Sequence, residues 1–322
     1  MEYRRLKGTD LEASRLCFGT MTFGGQVEEQ AARRMVDRCL DAGVNFFDTA
    51  NVYEQGASEV MLGRALRGRR DRVILAGKVR GKMGEGTDQS GLSRAAVLRA
   101  VEESLARLGT DYLDVYYLHQ PDYDVALEET LAAMELLVKQ GKVRYPASSN
   151  YSSWQVCRML WLAERQGYRP ALLAQQMYNL LARGIEQEFV PMAREFGVSI
   201  VAYNPLAGGL LTGKHGAAAF TPGTRFDNNA MYQQRYWHER NFAAIARLGA
   251  IAAGAGRSLV SLALNWMLHH TPIDCVILGA SREEQLEQNL AACDEGPLAP
   301  EAVAACDEVW RELRGPVPVY NR

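Results

Sequence analysis

Short apolar runs alternate with helix-like stretches along almost the whole chain, and this alternation is the feature that most constrains the fold. Eight runs have the length of buried strands: Leu16–Thr20, Asn45–Thr49, Val73–Lys78, Leu113–His119, Val143–Ser149, Ala171–Gln176, Ser199–Asn204 and Asp274–Gly279. Several of the stretches between them end at a glycine, as helices often do, for example at Gly109 and Gly167. Eight strand–helix units favour an α/β fold of the closed (β/α)8 TIM-barrel type over a doubly wound open sheet, which usually has fewer strands.

Two regions depart from this regular repetition. The segment from Pro205 to about Glu239 follows the seventh strand and predicts a long loop rich in Gly, Asn, Gln and aromatic residues. A further helix is predicted near Pro300–Leu313, followed by a tail at Pro316–Arg322. Because no linker or low-complexity tract interrupts the chain, we predict a single domain over residues 1–322.

Composition excludes several classes of function. A formal net charge of −2 gives no general attraction to nucleic acid or to anionic membranes, and no apolar run approaches the roughly 20 residues of a membrane helix. The first residues lack the apolar core of a signal peptide. Six scattered cysteines form no CxxC pair and no zinc-binding spacing, so we predict free thiols, a cytoplasmic location and no metal site.

Four titratable residues stand at or near the ends of successive predicted strands. Asp48, Lys78 and His119 each close an apolar run, and Tyr53 follows Asp48 by five residues. A parallel sheet gathers its strand ends on one face, which is where α/β barrels place their chemistry. The four groups would therefore lie close together.

These four residue types suit the protonation of an oxygen that gains negative charge. A nearby ammonium such as Lys78 lowers the pKa of a tyrosine hydroxyl, and a buried ammonium needs a counter-charge such as Asp48. A neutral His119 could orient a carbonyl oxygen by donating a hydrogen bond. Taken singly, each residue has a structural explanation, such as a helix cap for Asp48, but four at adjacent strand ends favour a catalytic site.

Several segments that contain these residues resemble the aldo-keto reductases. The resemblance covers nearly the whole chain and is carried by Asn45–Glu54 (NFFDTANVYE), Leu113–Pro121 (LDVYYLHQP), Gln175–Asn179 (QQMYN) and Ile277–Ser281 (ILGAS). The segment Ala202–Lys214 (AYNPLAGGLLTGK) is most similar to the branch of aflatoxin-aldehyde and succinic-semialdehyde reductases. The resemblance implies a barrel enzyme that reduces aldehydes or ketones with NADPH.

The resemblance also implies roles for individual residues. Tyr53 would donate the proton, Asp48 and Lys78 would adjust the pKa of the Tyr53 hydroxyl, and His119 would orient the carbonyl group. Ser149, Asn150 and Gln175 match the residues that hold the nicotinamide carboxamide, and Tyr203 matches the aromatic residue that stacks on the nicotinamide ring. The other implied cofactor-binding residues are Thr20, Met21, Asp48, Asn204, Pro205, Leu206, Lys214, Gly279, Ser281, Gln285, Gln288 and Asn289.

At one strand the chain departs from the family pattern. It reads Tyr145-Pro146-Ala147-Ser148 where glycine is usual, and Pro146 removes a backbone donor from the strand. This strand precedes Ser149 and Asn150, so its geometry bears on the implied cofactor site.

The residues that bind the substrate are expected in the long loop and the C-terminal tail. By resemblance, Arg235, Trp237 and Arg322 would lie near a small-molecule carbonyl substrate, and the two arginines could clamp a carboxylate on it. The alternative is that both arginines are exposed surface residues. The sequence leaves open whether the protein is a monomer or a small homo-oligomer.

Two other classes of protein remain as alternatives. One is a cofactor-binding regulatory subunit like the potassium-channel β subunits, which carry asparagine where this chain has His119. The other is a P-loop nucleotide hydrolase, because Gly208–Lys214 reads G-x-x-x-x-G-K; however, His215 stands where Ser or Thr would hold magnesium.

Overall fold

The computed structural model describes residues 1–220, 222–227 and 229–318 and contains a closed barrel of eight parallel strands. The strands are β1 (Tyr3–Arg5), β2 (Glu12–Ser14), β3 (Leu16–Gly19), β4 (Phe46–Asp48), β5 (Ile74–Val79), β6 (Leu113–Leu118), β7 (Val143–Ser149), β8 (Leu173–Met177), β9 (Ser199–Tyr203) and β10 (Cys275–Leu278). The barrel order is β10-β3-β4-β5-β6-β7-β8-β9, and β1 and β2 form a separate antiparallel hairpin. This confirms the predicted (β/α)8 fold.

Helices follow the barrel strands. They are α1 (Glu29–Asp41), α2 (Ala57–Ala65), α3 (Arg94–Leu108), α4 (Leu127–Lys139), α5 (Ser153–Gln166), α6 (Phe189–Glu195), α7 (Ala230–Tyr236), α8 (Glu239–Gly254), α9 (Leu259–His270), α10 (Glu283–Cys293) and α11 (Pro300–Arg314). Ser93 caps the N-terminus of α3, since its Oγ accepts a hydrogen bond from the Ala96 backbone N–H at 3.2 Å. Gly109 ends α3 at φ +64° and Gly167 ends α5 at φ +67°, the left-handed conformation that glycine adopts freely.

The chain forms two compact units. The first contains Met1–Gln176, Glu186–Val201 and Asp274–Glu287, and the second contains Met177–Ile185, Ala202–Ile273 and the described residues from Gln288 onward. The first unit contains β1–β7, β8 up to Gln176, β10 and the four predicted catalytic residues, which form the tetrad Asp48, Tyr53, Lys78 and His119. The prediction of a single domain stays a prediction.

Pro146 lies within β7 without interrupting it. Tyr116 pairs with Pro146 on the β6 side, and the ladder toward β8 continues through Ser148 with Ala174 and Ser149 with Gln175. The strand therefore delivers Ser149 at the end of the barrel despite the missing backbone donor.

Some elements were not predicted from the sequence. They are the β1–β2 hairpin, α2, and two short elements between Pro205 and Glu239, namely a 3-10 segment at Ala207–Thr212 and helix α7. The 3-10 segment contains left-handed Gly208 and Gly209 and is not followed directly by a helix, so this region lacks the strand–loop–helix geometry of a P-loop.

In the described residues no single helix has the length and apolarity needed to cross a membrane. Helices α8 and α9, which are bent at 86° to one another, pass that test only as a pair, by length and composition alone. All six cysteines are free thiols.

Candidate active site

A buried ion pair between Asp48 and Lys78 lies at the centre of the predicted tetrad. Asp48 ends β4 and Lys78 lies near the end of the neighbouring β5, so the closed barrel brings the two side chains together. Lys78 is 0% exposed, and its Nζ donates to Asp48 Oδ1 and, at 2.8 Å, to the Thr49 carbonyl oxygen. Burial alone would lower the pKa of Lys78, but the charges of Asp48 and Tyr53 outweigh it and raise that pKa. Lys78 is therefore a buried ammonium at neutral pH.

Tyr53 lies beside this ammonium. Its hydroxyl is 3.3 Å from Lys78 Nζ, and the ammonium lies 4.9 Å from the centre of the Tyr53 ring. A positive charge at this distance stabilises a phenolate and makes the hydroxyl a better acid. Tyr53 as a whole is half-buried, whereas its neighbour Lys78 is fully buried.

The turn that carries Tyr53 is conformationally strained. Glu54 and Gln55 have φ of 47° and 52°, and Gly56 follows at 91°. Left-handed backbone in consecutive residues with side chains costs free energy and is found mainly where surrounding packing enforces it. The turn leads directly into α2, which begins at Ala57.

Helix α2 is fixed to α3 by two close contacts. Glu59 is 0% exposed and accepts from Arg107 Nε at 2.6 Å. At Gly63 the backbones approach so closely that an added Cβ would lie 2.2 Å from the Leu108 carbonyl oxygen. These contacts hold the helix that follows the Tyr53 turn in place. They could not be predicted from the sequence, because α2 itself was not predicted.

His119 completes the tetrad. It follows β6, its backbone N–H donates to the Val79 carbonyl oxygen at 2.9 Å, and its ring meets the Tyr53 ring edge-on at 5.9 Å between centroids. Burial, with the positive charges of Lys78 and Arg80, lowers the pKa of His119 to about 3. The imidazole is therefore neutral at pH 7 and able to donate one hydrogen bond.

The amides predicted to hold the nicotinamide carboxamide also contact the tetrad. Gln175 is buried, and its Nε2 donates to Asp48 Oδ2 at 2.9 Å. Asn150 has φ of 62°, and its Nδ2 donates to the His119 carbonyl oxygen at 2.8 Å and to Ser149 Oγ at 3.1 Å. The strand ends thus bring Ser149, Asn150 and Gln175 together with the tetrad, and the link from Gln175 to Asp48 was not foreseen.

The other cofactor-binding candidates of the first unit have identifiable structural contacts. Thr20 Oγ1 lies 2.8 Å from Ser58 Oγ and 3.2 Å from the Asp48 carbonyl oxygen, while Met21 is exposed. At the start of α10, Ser281 Oγ donates to Gln285 Oε1 at 3.0 Å, and Ser281 N–H donates to the same oxygen. Both hydrogen bonds therefore join Gln285 of α10 to Ser281, which lies two residues after Gly279.

The remaining candidates belong to the second unit. Tyr203 ends β9 and is followed by Asn204, whose φ is 59° and whose Oδ1 accepts from the Tyr232 hydroxyl at 3.1 Å. Further along are the cofactor candidates Pro205, Leu206, Lys214, Gln288 and Asn289, of which Lys214 is exposed and Asn289 is buried. Their roles toward a cofactor stay predictions.

Of the three substrate candidates, Trp237 has a clear packing role. Its ring lies 5.0 Å from Phe226, 5.0 Å from Phe242 and 4.7 Å from Phe220, so it belongs to an aromatic cluster of the second unit. Arg235 lies over the Tyr232 ring at 5.7 Å. Arg322 lies outside the described residues.

Comparison with known proteins identifies the family. The model of the "Aldo/keto reductase family" matches residues 15–311. Human aflatoxin B1 aldehyde reductase member 2 is 39% identical over 94% of this chain and 88% of its own length, and human aldo-keto reductase family 7 member A3 is 37% identical over 94% and 96%. A probable voltage-gated potassium channel subunit beta of Oryza sativa subsp. japonica is 34% identical over 96% of each chain. These matches confirm the predicted family and branch.

Proposed function

Because the chain belongs to the aldo/keto reductase family, whose members generally use NAD(P)H, we propose that it reduces aldehydes or ketones to alcohols with NADPH. The family and its reductase relatives support an oxidoreductase that acts on carbonyl compounds. The observation that carries the finer proposal is the buried Asp48–Lys78 pair with the Tyr53 hydroxyl 3.3 Å from its ammonium.

The residues of the tetrad have separate roles in the protonation of the carbonyl oxygen. NADPH, when bound, supplies the hydride. Tyr53 donates its proton to the oxygen as negative charge develops there, and Lys78 stabilises the phenolate that remains. Neutral His119 donates a hydrogen bond to the same oxygen and so fixes its position without adding a competing positive charge.

The residues present fit a nicotinamide dinucleotide. Ser149, Asn150 and Gln175 offer the hydroxyl and amide groups that complement the donor and acceptor of a carboxamide. In the second unit, the buried Nδ2 of Asn204 has no acceptor among the described residues, and a buried donor of this kind normally has a partner. Arg282, which directly precedes α10, would add positive charge where the resemblance puts the adenosine phosphate.

The proposal is tested by mixing the protein with NADPH and 4-nitrobenzaldehyde. We expect the nicotinamide absorbance to decay in proportion to enzyme concentration, and a lower Kd for NADPH than for NADH in a fluorescence titration. Equal affinity for the two cofactors would contradict the NADPH preference while leaving the reductase in place.

A second candidate is a regulatory subunit with little turnover, and the rice channel-subunit relative favours it. The neutral histidine at position 119 favours the enzyme, since channel β subunits carry asparagine there. Tight NADPH binding without decay across a broad carbonyl panel would support the regulatory subunit instead.

For the substrate we propose a carboxylate-bearing aldehyde, held by Arg235 and Arg322. The test is steady-state kinetics of Arg322→Ala with a charged and a neutral aldehyde of similar size. We expect kcat/KM to fall for the charged substrate only, and an unchanged ratio between the two substrates would refute the clamp.

We also propose a cytoplasmic location, which cell fractionation would test.

A further inference from the structure

Arg80 is a conformationally strained residue close to the tetrad. It directly follows β5, two positions after Lys78, and its backbone φ is +139°. Residues with side chains rarely adopt this conformation, whereas glycine adopts it freely. Backbone strain of this kind occurs mainly at functional sites, where the surrounding structure enforces it. An arginine at a position that suits glycine therefore points to a role for its side chain.

The backbone on each side of Arg80 contacts the segments that carry two tetrad residues. Before it, the Val79 carbonyl oxygen accepts from the backbone N–H of His119 at 2.9 Å. After it, an added Cβ at Gly81 would lie 2.5 Å from Cβ of Val52, the residue that directly precedes the proposed acid. These contacts fix Arg80 between the segments that carry the histidine and the tyrosine.

The guanidinium of Arg80 is half-buried on the side of His119. With its oxygen turned toward the guanidinium, the Gln120 amide accepts from Arg80 Nε at 3.3 Å, and Gln120 directly follows His119. Burial and the positive charges of Lys78 and Arg80 together lower the pKa of His119. The charge of Arg80 therefore acts on the residue that is proposed to orient the substrate carbonyl group.

This positive charge is not neutralised by a neighbouring carboxylate. Lys78 is paired with Asp48, but within the described ranges of the chain no acidic side chain forms an ion pair with Arg80. Asp122 follows β6 by four residues, and both of its carboxylate oxygens accept backbone N–H groups, at 2.8 and 3.2 Å. The surroundings of the tetrad therefore keep the positive charge of Arg80 available to an anion.

We propose that Arg80 is a specificity-determining residue that binds a carboxylate of the substrate beside His119. A guanidinium offers two parallel N–H donors that match the two oxygens of a carboxylate, and a partly buried charge is screened less by salt than an exposed one. The inference rests on the proposed function. It adds a contact from the compact unit that holds the tetrad to those proposed for Arg235 and Arg322.

The first test is steady-state kinetics with 4-carboxybenzaldehyde and 4-nitrobenzaldehyde, which have nearly the same shape and differ in charge. Because a hydrogen bond to a charged group contributes about 10- to 100-fold in affinity, Arg80→Gln should raise KM for the carboxylate by about that factor. Its kcat should stay close to the wild-type value, and both constants for 4-nitrobenzaldehyde should be unchanged. Arg80→Lys keeps the positive charge and should recover part of the loss.

Two further variants separate recognition of the carboxylate from general effects. Arg94→Gln removes an exposed arginine at the other end of the same β5–α3 loop, so it should leave the ratio of the two kcat/KM values unchanged. Arg80→Gly places glycine where the backbone suits it, so this variant should fold and lose selectivity as Arg80→Gln does. If Arg80 only supports the loop through Gln120, activity with both aldehydes would fall equally, and the inference would be wrong.

A binding measurement distinguishes failure of the inference from failure of the proposed function. Benzoate carries the carboxylate but is not reduced, so it can be titrated into the NADPH-bound protein by calorimetry. We expect Arg80→Gln to weaken benzoate binding at least about tenfold. A wild type that binds benzoate through Arg80 but reduces no aldehyde would contradict the reductase and keep the carboxylate site. An Arg80→Gln variant with unchanged benzoate binding and unchanged selectivity would overturn the site and leave the reductase in place.

Discussion

Replacing Lys78 with methionine would leave the Asp48 carboxyl buried without its counter-charge. Methionine keeps the unbranched apolar stem but removes the ammonium that contacts Asp48 Oδ1, the Thr49 carbonyl oxygen and the Tyr53 hydroxyl. Asp48 then either stays ionised at a large desolvation cost or takes up a proton. Protonation costs less free energy than burying an unpaired charge, so the cost of protonation is the upper limit of the loss in unfolding free energy.

The size of this limit follows from the ordinary pKa of an aspartate, which is 3.8. Holding the carboxyl neutral costs about 1.36 kcal/mol for each pH unit above that pKa, which is about 4 kcal/mol at pH 7 and about 1.6 kcal/mol at pH 5. Loss of the hydrogen bond to Thr49 adds about 1 kcal/mol at either pH. Because burial already raises the pKa of Asp48 in the wild type, the variant should regain at most about 3 kcal/mol relative to wild type as the pH falls from 7 to 5.

The assay is urea unfolding at pH 5 and pH 7, followed by far-UV circular dichroism. The double variant Asp48→Asn/Lys78→Met removes the titrating carboxyl, so its loss of unfolding free energy should be the same at both pH values. Lys142→Met is a matched control, because the Lys142–Glu102 pair is partly exposed and should contribute less than about 1 kcal/mol. If Lys78→Met and the double variant show the same pH dependence, Asp48 does not depend on Lys78 for its charge and the account of the pair is wrong.

Two further predictions concern His119 and a pair of helix glycines. The pKa of His119 is about 3 in the folded protein, compared with an ordinary value of 6.5 for histidine. Between these two pH values the unfolded chain binds more protons than the folded one, so stability falls as the pH drops through 6.5. Relative to His119→Asn, the wild type should lose about 2 kcal/mol between pH 7 and pH 5, and an imidazole NMR signal that titrates near pH 6.5 would contradict the lowered pKa. Gly63→Ala should destabilise by about 1–3 kcal/mol because its Cβ would meet the Leu108 carbonyl oxygen at 2.2 Å. Gly249→Ala in α8, with no atom within 4 Å, should instead stabilise by about 0.5–1 kcal/mol, and equal effects of the two substitutions in thermal unfolding would refute the close approach at Gly63.

The barrel could be predicted because its strands are buried on both faces and therefore read as continuous apolar runs. Val143–Ser149 was predicted with the bounds that the structure shows. Helix α2 was missed because its sequence, ASEVMLGRA, mixes buried Ser58 and Glu59 with a mid-helix glycine and has little apolar periodicity. The β1–β2 hairpin was missed because β1 is exposed throughout and therefore does not read as an apolar run, unlike the equally short but buried β4.

The candidate site was predictable to the extent that strand ends define it. Asp48, Lys78 and His119 lie where the runs end, and Tyr53 is brought to them by a turn. The left-handed conformation of Glu54 and Gln55 could not be foreseen, because neither residue type favours it. The hydrogen bond from Gln175 to Asp48 joins strands four places apart in the barrel, a proximity that depends on side-chain length and not on sequence spacing.

The central claim is that the Tyr53 hydroxyl donates the proton, and the most direct test is the turnover of Tyr53→Phe beside its affinity for NADPH. A positioned general acid contributes about 10²- to 10⁴-fold, so kcat with 4-nitrobenzaldehyde should fall by that factor while the Kd for NADPH stays unchanged. Tyr116→Phe is the matched control, because that hydroxyl is buried and has no hydrogen-bond partner among the described residues, and its kcat should match wild type. A Tyr53→Phe variant that keeps wild-type kcat would contradict the account.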